Sequence, residues 1–439
     1  MIDICTITVI VNFKNANITR NAGLVAYMGG GAVRLSGKTD LSGVTIKEGI
    51  TEKGQLVGTH SSLVFAEKGW IFIRRTTPQK ISDLGDWGEV VRLDGFEADK
   101  YPFTYNESNH TVTTNTVVNN KVANISTKTD FAALAIAMSC TSGGALINGN
   151  GSQDLYSSTI NINNNINMSG TGIYSLTCDT ITTTTKAFKG TINGNNHTIT
   201  LNSGEPYGYR TDKNTTAEGD GSGQIYDHTF IGLLTLTQGA TINDLTINGN
   251  FNAEATKQTV TVGGISAKTS GLALSNVTVK SNIAVKRNSG DAVVGGFVGY
   301  ADGAQITAKG CTLGSGDGNP KSTLSITGNT GNAAQLGGFV ANAQNKTTLN
   351  ITNMTVNGVE IKSDTAVTAG GFLGYKWDNA TVTLGDSTNP GVTVTNSNLN
   401  YKNDTTFGGM VNTGAGYWKV NKNGIVYNSG VSFTGGTNN

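Results

Sequence analysis

Residues 294–300 read VGGFVGY, residues 336–342 read LGGFVAN and residues 369–375 read AGGFLGY. VGGISA at 262–267 and FGGMVN at 407–412 are variants of the same phrase, and FIGLLT at 230–235 is a single-glycine form of it. The apolar residue after the glycine falls at Leu233, Ile265, Phe297, Phe339, Phe372 and Met410, at intervals of 32, 32, 42, 33 and 38 residues. Self-similarity at this period marks a stack of equivalent units that bury a shared core, as in a solenoid, propeller or array.

The repeat is built from short β-branched runs. TVTVGGISA (259–267), LALSNVTVKSN (272–282) and IAVKR (283–287) are separated by Gly, Asn and Ser, and suggest three runs per 32-residue coil. A helical repeat would need ten or more helix-forming residues per unit, and a four-stranded propeller blade needs about 40 residues with aromatic signatures. Stacked β coils remain, each adding a rung of about 4.8 Å. The six apolar residues should then form an internal ladder, and Leu245 and Val277, also 32 apart, a second. The 42-residue interval contains GCTLGSGDGNPKST (310–323), which should bulge as a loop between Cys311 and Leu324.

Composition agrees with this architecture. Of 439 residues only 37% are hydrophobic and 7% aromatic, too few for one large globular core. Glycine numbers 59 against 5 prolines, and charged residues make up 14%, a bias towards ordered, turn-rich β structure rather than disorder. The net charge of +1, from 31 basic and 30 acidic residues, gives no electrostatic reason to expect nucleic acid or an anionic membrane as partner. Cys5, Cys140, Cys178 and Cys311 have no C-x-x-C spacing and read as buried small hydrophobes. No run of 18 apolar residues occurs. MIDICTITVIVNF (1–13) reads as a strand rather than a signal peptide, and SGVSFTGGTNN (429–439) carries no sorting motif; both ends are expected to be internal cuts in a longer protein.

Three regions follow. Leu24 in AGLVAY and Leu56 in GQLVGT are 32 apart, so residues 1–75 read as the terminal coils of a first solenoid. Segment 76–123 lies in the densest stretch of charge and aromatics and breaks the repeat as an irregular β linker. Residues 124–439 read as a second solenoid. Its first rung is expected to be covered by an amphipathic helix at 129–139, with Thr129 as N-cap and Phe131, Leu134, Ala135 and Met138 on one face.

FKGTINGNNHTITL (188–201), followed by GLLTLTQGATINDLTING (232–249) and the GGFVGY units, resembles the GLUG-repeat, adhesin-like surface proteins of bacteria. Phe188, Gly190, Thr191, Gly194, Asn195, His197 and Ile199 match the family's opening phrase, and Gly295 to Tyr300 and Gly370 to Tyr375 match its later units. The resemblance implies a right-handed parallel β-helix and an extracellular or cell-surface location. Some relatives join such repeats to a metallopeptidase that cleaves immunoglobulin A, but this chain has no H-E-x-x-H, the zinc-binding helix that chemistry needs.

Catalytic constellations are scarce. His60, His110, His197 and His228 lack ligand spacing, and the glycine pairs are not followed by the helix a phosphate cradle requires. No cofactor or metal is expected. Parallel β-helices include polysaccharide lyases and glycosidases, which need clustered carboxylates. SGEPYGYRTDKNTTAEGDGSGQIYDH (203–228) is the one candidate, with Glu205, Arg210, Asp212, Glu218, Asp220 and Asp227, and with Tyr207 and Tyr209 able to stack on a sugar. A solvated insertion between coils accounts for the same residues. Calcium binding by Asp212, Asn214, Glu218 and Asp220 meets no known loop spacing, and the Thr-rich TITTTTK (180–186) reads as a β-helix turn rather than an ice-binding array.

The expectation is therefore a non-enzymatic part of a large bacterial surface or secreted protein, serving as a rigid stalk or adhesive surface. Host glycans or host surface proteins would be its partners, and loops 203–228 and 310–324 with segment 76–123 the places to bind them. A carbohydrate-active β-helix enzyme is the alternative, and a phage or secreted fibre would share the fold.

Overall fold

The computed structural model describes residues 121–139, 155–169, 187–203, 228–255, 259–315, 322–328 and 334–400 with single-residue breaks at 289 and 378, and elsewhere short strands and a few single residues. The chain divides into two compact units, one made of Met1–Asn115 with Cys140–Gly151 and Gly170–Gly172, the other of Thr116–Ser139, Ser152–Ser169 and Ile173–Asn439. In the first, Arg20–Ala22 pairs in parallel with Glu52–Gly54, Val25–Met28 with Val57–His60, and Val33–Leu35 with Val64–Ala66. The offset of 32 residues in the first two pairs is the spacing of Leu24 and Leu56, which themselves lie outside the described residues. Beyond residue 70 the pairing becomes antiparallel, Ile71–Ile73 with Val90–Arg92 and Phe103–Asn106 with Thr111–Thr114.

The second unit is a parallel β-helix. The coil at His228–Ile231, Leu234–Thr237 and Ala240–Ala255 has the three strands expected, whereas later coils contain five shorter ones, as in Ala292–Gly295, Val298–Asp302, Gln305–Lys309, Thr312–Leu313 and Ser322–Gly328. Each strand pairs in parallel with its counterpart one coil on. First strands of successive coils form a seven-stranded sheet, second strands a six-stranded sheet, and the third to fifth strands run in one sheet of 21 strands. The extra strands arise because Gly-Gly and Asn corners break runs whose apolar residues are nonetheless continuous in sequence.

Sterics explain the glycine pair. A Cβ on Gly337 would stand 2.0 Å from the carbonyl oxygen of Val340, and one on Gly338 would stand 1.9 Å from that of Gly371. No side chain fits where first and second strands fold back on each other. The next residue points into the core. Phe297, Phe339 and Phe372 are fully buried, with successive ring centroids 5.0 and 5.2 Å apart, and Leu233 and Ile265 continue the file fully buried. Burial of each phenylalanine is worth about 3 kcal/mol, before ring–ring contacts. Met410 lies outside the described residues.

The second ladder is longer than Leu245 and Val277. Strand register continues it through Cys311, Met354 and Val392, all at most 1% exposed. Its corner is made by residues with positive φ: Asp244 (51°), Asn276 (53°), Gly310 (64°) and Asn353 (54°). Asn and Asp tolerate this conformation and can bond locally, and Asn276 Nδ2 donates to Asp244 Oδ1 at 2.9 Å.

Register also locates the ten extra residues of the 42-residue interval. The offset between successive coils is 32 at Val298, 34 at Ile306 and Thr312, 41 at Leu324 and 42 at Ala334. Seven of the ten thus enter between Leu313 and Leu324, where the loop was expected, with residues 316–321 outside the described residues. Two enter at the turn before Gln305 and one before Ala334.

The first rung is closed by two devices. Val118–Asn119 lies antiparallel on the outer edge of Val122–Ile125, and the helix Lys128–Ser139, α1, packs beside it. Thr127, not Thr129, is the N-cap. Its Oγ1 accepts from the Asp130 amide at 3.1 Å while Asp130 Oδ2 accepts from the amides of Ser126 and Thr127 at 3.0 and 2.9 Å, a capping box with aspartate at its third position. Phe131 to Ala135 are consecutively buried, so α1 is apolar around its circumference rather than amphipathic. The phrase at 188–201 opens the repeat for similar reasons. Phe188 is fully buried, Gly190 and Gly194 sit where a Cβ would meet the carbonyls of Ser158 and Asp244 at 1.9 and 2.3 Å, and Asn195 (φ 51°) donates to the Ile162 carbonyl at 3.1 Å.

Gly337→Ala should lower stability by about 3 kcal/mol through backbone clash, whereas Gly239→Ala, with open space around its Cβ but φ at 72°, should cost about 1 kcal/mol. Urea titrations followed by circular dichroism test this; equal midpoints would refute the steric account. Burial pushes the Cys311 thiol up to about 11, partly offset by backbone hydrogen bonds. Peptide mapping should therefore find Cys311 unalkylated by iodoacetamide at pH 8 until the protein is unfolded.

Candidate functional site

On the second strand of each coil the residues three and five places after the buried ladder position face outward. Register aligns Leu236, Lys268, Tyr300, Asn342 and Tyr375 in one file across five coils. Asp302 and Gln344 pair in the neighbouring file, and Trp377, whose amide donates to the Ala343 carbonyl at 3.0 Å, follows in the next coil. Rungs are about 4.8 Å apart, so side chains of successive coils meet although they are 32 to 44 residues apart in the chain.

Two groups adjoin on this face. One is polar: Lys268 Nζ lies 3.1 Å from Asp302 Oδ2 and 5.3 Å from the centre of the Tyr300 ring, Asn345 Nδ2 donates to Asp302 Oδ1 at 2.6 Å, and the Gln344 side chain hydrogen-bonds both Tyr300 and Asp302. The other is aromatic: Trp377 stands edge-on to Tyr375 with centroids 5.4 Å apart. Trp377 Nε1 donates to Asn342 Oδ1 at 3.1 Å, and Asn342 Nδ2 donates to Gln335 Oε1 at 2.7 Å. Asn342 is only 4% exposed, so the amide that orients the indole is itself fixed by packing. Lys376 is buried, and its Nζ lies 3.4 Å from the Trp377 carbonyl. Trp377 remains 45% exposed, the one exposed large hydrophobic side chain among the described residues.

Burial is the main cause that raises the Tyr300 hydroxyl to about 12; the Asp302 charge adds to it, and the Gln344 bond opposes it. Burial also pushes the Asp302 carboxyl up, but hydrogen bonds from Asn345, Lys268 and Gln344 and the Lys268 charge outweigh it and leave the group below the usual carboxylate range. At neutral pH the cluster is thus a neutral phenol, a carboxylate and an ammonium that compensate one another. It holds donors and acceptors in fixed positions beside an aromatic plane. It contains a single carboxylate, whereas general acid–base cleavage of a glycosidic bond ordinarily employs two.

The site residues expected from sequence, Tyr207, Tyr209, Arg210, Asp212, Glu218 and Asp220, lie outside the described residues, as do Glu205 and Asp227. The strands that flank them, Thr191–Ser203 and His228–Ile231, are in place in adjacent sheets. Among the described residues no group of three or more His, Cys, Asp or Glu side chains could hold a metal ion. Sequence reasoning missed the Lys268–Tyr300–Trp377 face because it treated the tyrosine of FVGY as part of the repeat phrase. Counting alternation outward from the buried Phe297 would have set Tyr300 on the surface in line with Lys268 and Tyr375.

A folded-state pKa raised above the unfolded value means stability that is complete below about pH 10 and is lost as pH rises through about 12. Subtracting the 295 nm alkaline titration of Tyr300→Phe from that of the wild type should leave one phenolate with a midpoint near 12. A midpoint near 10 would show that the phenol is not confined by its neighbours.

In comparison with known proteins, no family model matches the chain and no curated protein matches it. Among solved structures, one described as a putative immunoglobulin A1 protease from Bacteroides ovatus is similar at 13% identity, over 72% of this chain and 83% of that one, with a TM-score of 0.37.

Proposed function

We propose that this chain is the non-catalytic, rigid β-solenoid part of a bacterial cell-surface or secreted protein of the GLUG-repeat, adhesin-like kind, acting as a stalk and as a surface for host glycans or host surface proteins. The observation that carries the reading is the uninterrupted parallel pairing from Val122–Ile125 through Ser432–Thr434 in the long sheet. Every inner strand of that sheet has a hydrogen-bonded neighbour on both sides, and the first rung is covered by an antiparallel strand and α1. Stacked repeats of this kind are stiff along the stack, because bending it means breaking ladders of backbone hydrogen bonds on one side. A protease must extend its substrate, so cleavage would be confined to loops. The near-neutral charge, with 31 basic against 30 acidic residues, supports partners recognised by local contacts rather than by long-range attraction, and gives nucleic acid no foothold.

Limited proteolysis with mapping of the products tests the stalk. Cuts should fall outside the paired strands, including within residues 204–227 and 316–321, while the strands of residues 228–400 persist as one associated core. Rapid cleavage inside the strands would refute rigidity. A glycan and host-protein array, run beside a reducing-end release assay on the same polysaccharides, tests the absence of catalysis; release of sugar ends would replace this reading with that of a carbohydrate-active enzyme.

A further inference from the structure

The outward face built by Lys268, Tyr300, Asp302, Asn342, Gln344 and Trp377 has the composition and rigidity of a binding site, and we propose that it takes a neutral oligosaccharide, with one pyranose ring seated on the Trp377 indole. The proposal rests on the adhesive half of the function proposed above and gives it a location outside the loops. An exposed tryptophan contributes nothing to the core of the solenoid. At equivalent positions the fold accepts small or polar side chains, as Gln344 one coil earlier shows. Yet Trp377 is oriented by the bond to Asn342, by the Asn342–Gln335 bond behind it, and by a perpendicular ring contact with Tyr375. An indole anchored through its N–H and 45% exposed leaves aromatic surface open to solvent, and an oriented, exposed aromatic surface is what the apolar C–H side of a pyranose stacks on.

The neighbouring polar cluster supplies what the sugar's rim requires. Hydroxyl groups are donors and acceptors at once. They match a carboxylate with capacity beyond the bonds that fix it and an amide held between two partners, as Asp302 and Gln344 are here. Charge narrows the ligand class. Lys268 and Asp302 are 3.1 Å apart and cancel each other, so the face offers neither an uncompensated cation for a sialic or uronic acid carboxylate nor an uncompensated anion for an amino sugar. Tyr300 and Trp377 lie two coils apart, a separation of about 10 Å, which is the length of two linked pyranose rings. The face is open to solvent and lined by one row of side chains per coil, so it would bind an internal stretch of a chain rather than grip an end.

The test labels the protein with 5-fluorotryptophan, assigns the Trp377 resonance by its absence in Trp377→Phe, and titrates neutral gluco-, galacto- and manno-configured tetrasaccharides to about 10 mM, the range expected of a shallow site. The expected result is saturable displacement of the Trp377 resonance by at least one series. Asp302→Asn should weaken binding in this titration about tenfold, and Trp377→Ala should lose binding on the array, both with protease-resistant cores like the wild type's. No displacement by any of the three series overturns the proposal. So does displacement by tyrosine-rich peptides in place of sugars. Array binding that survives in Trp377→Ala also overturns it, while leaving the adhesive reading of the chain intact. Loss of the resistant core in Trp377→Ala would assign the residue to stability and overturn the site as well.

Discussion

At the corner between the first and second strands of each coil, backbone lies against backbone. The Gly337 Cα faces the Val340 carbonyl and the Gly338 Cα faces the Gly371 carbonyl of the next coil, each with room for a hydrogen and no more. Hydrogen-bonded rungs are about 4.8 Å apart and permit no local dilation, so a larger residue at one corner would have to be accommodated by the coils above and below. The file of buried side chains that follows, from Leu233 to Phe372, owes its alignment to this corner. Phenylalanines 42 and 33 residues apart meet with ring centroids 5.0 and 5.2 Å apart because the glycines hold successive chains in step.

The same repetition organises the outside. Asn161 donates to Asn124 at 3.0 Å and Asn193 to Asn161 at 3.0 Å, so identical amides in successive coils satisfy one another. The corner file of Asp244, Asn276, Gly310 and Asn353 alternates residues whose own chemistry favours positive φ. Asparagine-rich composition, which in an isolated chain would point to disorder, is here the material of turns and external ladders. Each amide is an ordinary hydrogen bond worth about 1 kcal/mol, but stacking repeats it at every coil.

How much of this was legible in the sequence depends on whether neighbouring positions or stacked positions carried the signal. The period, the buried file at Leu233 to Phe372 and the second file at Leu245 and Val277 follow from spacing alone, because burial forces the same residue type at the same interval. Register within one coil is less visible. LALSNVTVKSN looks like one run, but Leu272–Ser275 and Thr278–Val279 are separate strands on either side of Asn276, which has positive φ. The true N-cap, Thr127, was displaced in the reading by Thr129, since both hydroxyls precede Asp130 and only the reciprocal bond between Thr127 and Asp130 distinguishes them. The Trp377 face was hidden for a stronger reason. Lys268, Tyr300, Asn342 and Trp377 occupy outward positions where the fold imposes no residue type, so no pattern within the repeat announces them.

That freedom is also why chemistry should collect there. Inward positions answer to packing, corners answer to backbone clearance, and edges of the stack answer to capping by α1 and the strand at Val118–Asn119. Only the outward files and the loops can change without disturbing the coil-to-coil ladder. Among the outward files, most residues are Thr, Asn and Ser, which repeat what their neighbours do. Tyr300, Tyr375 and Trp377 break that uniformity within two adjacent files, and Asn342 and Gln335, which fix the indole, have no other task visible in the packing. A scaffold that gains nothing from an exposed indole, yet orients it through the buried amide of Asn342 and the half-buried one of Gln335, points to a use for the indole in recognition rather than in folding.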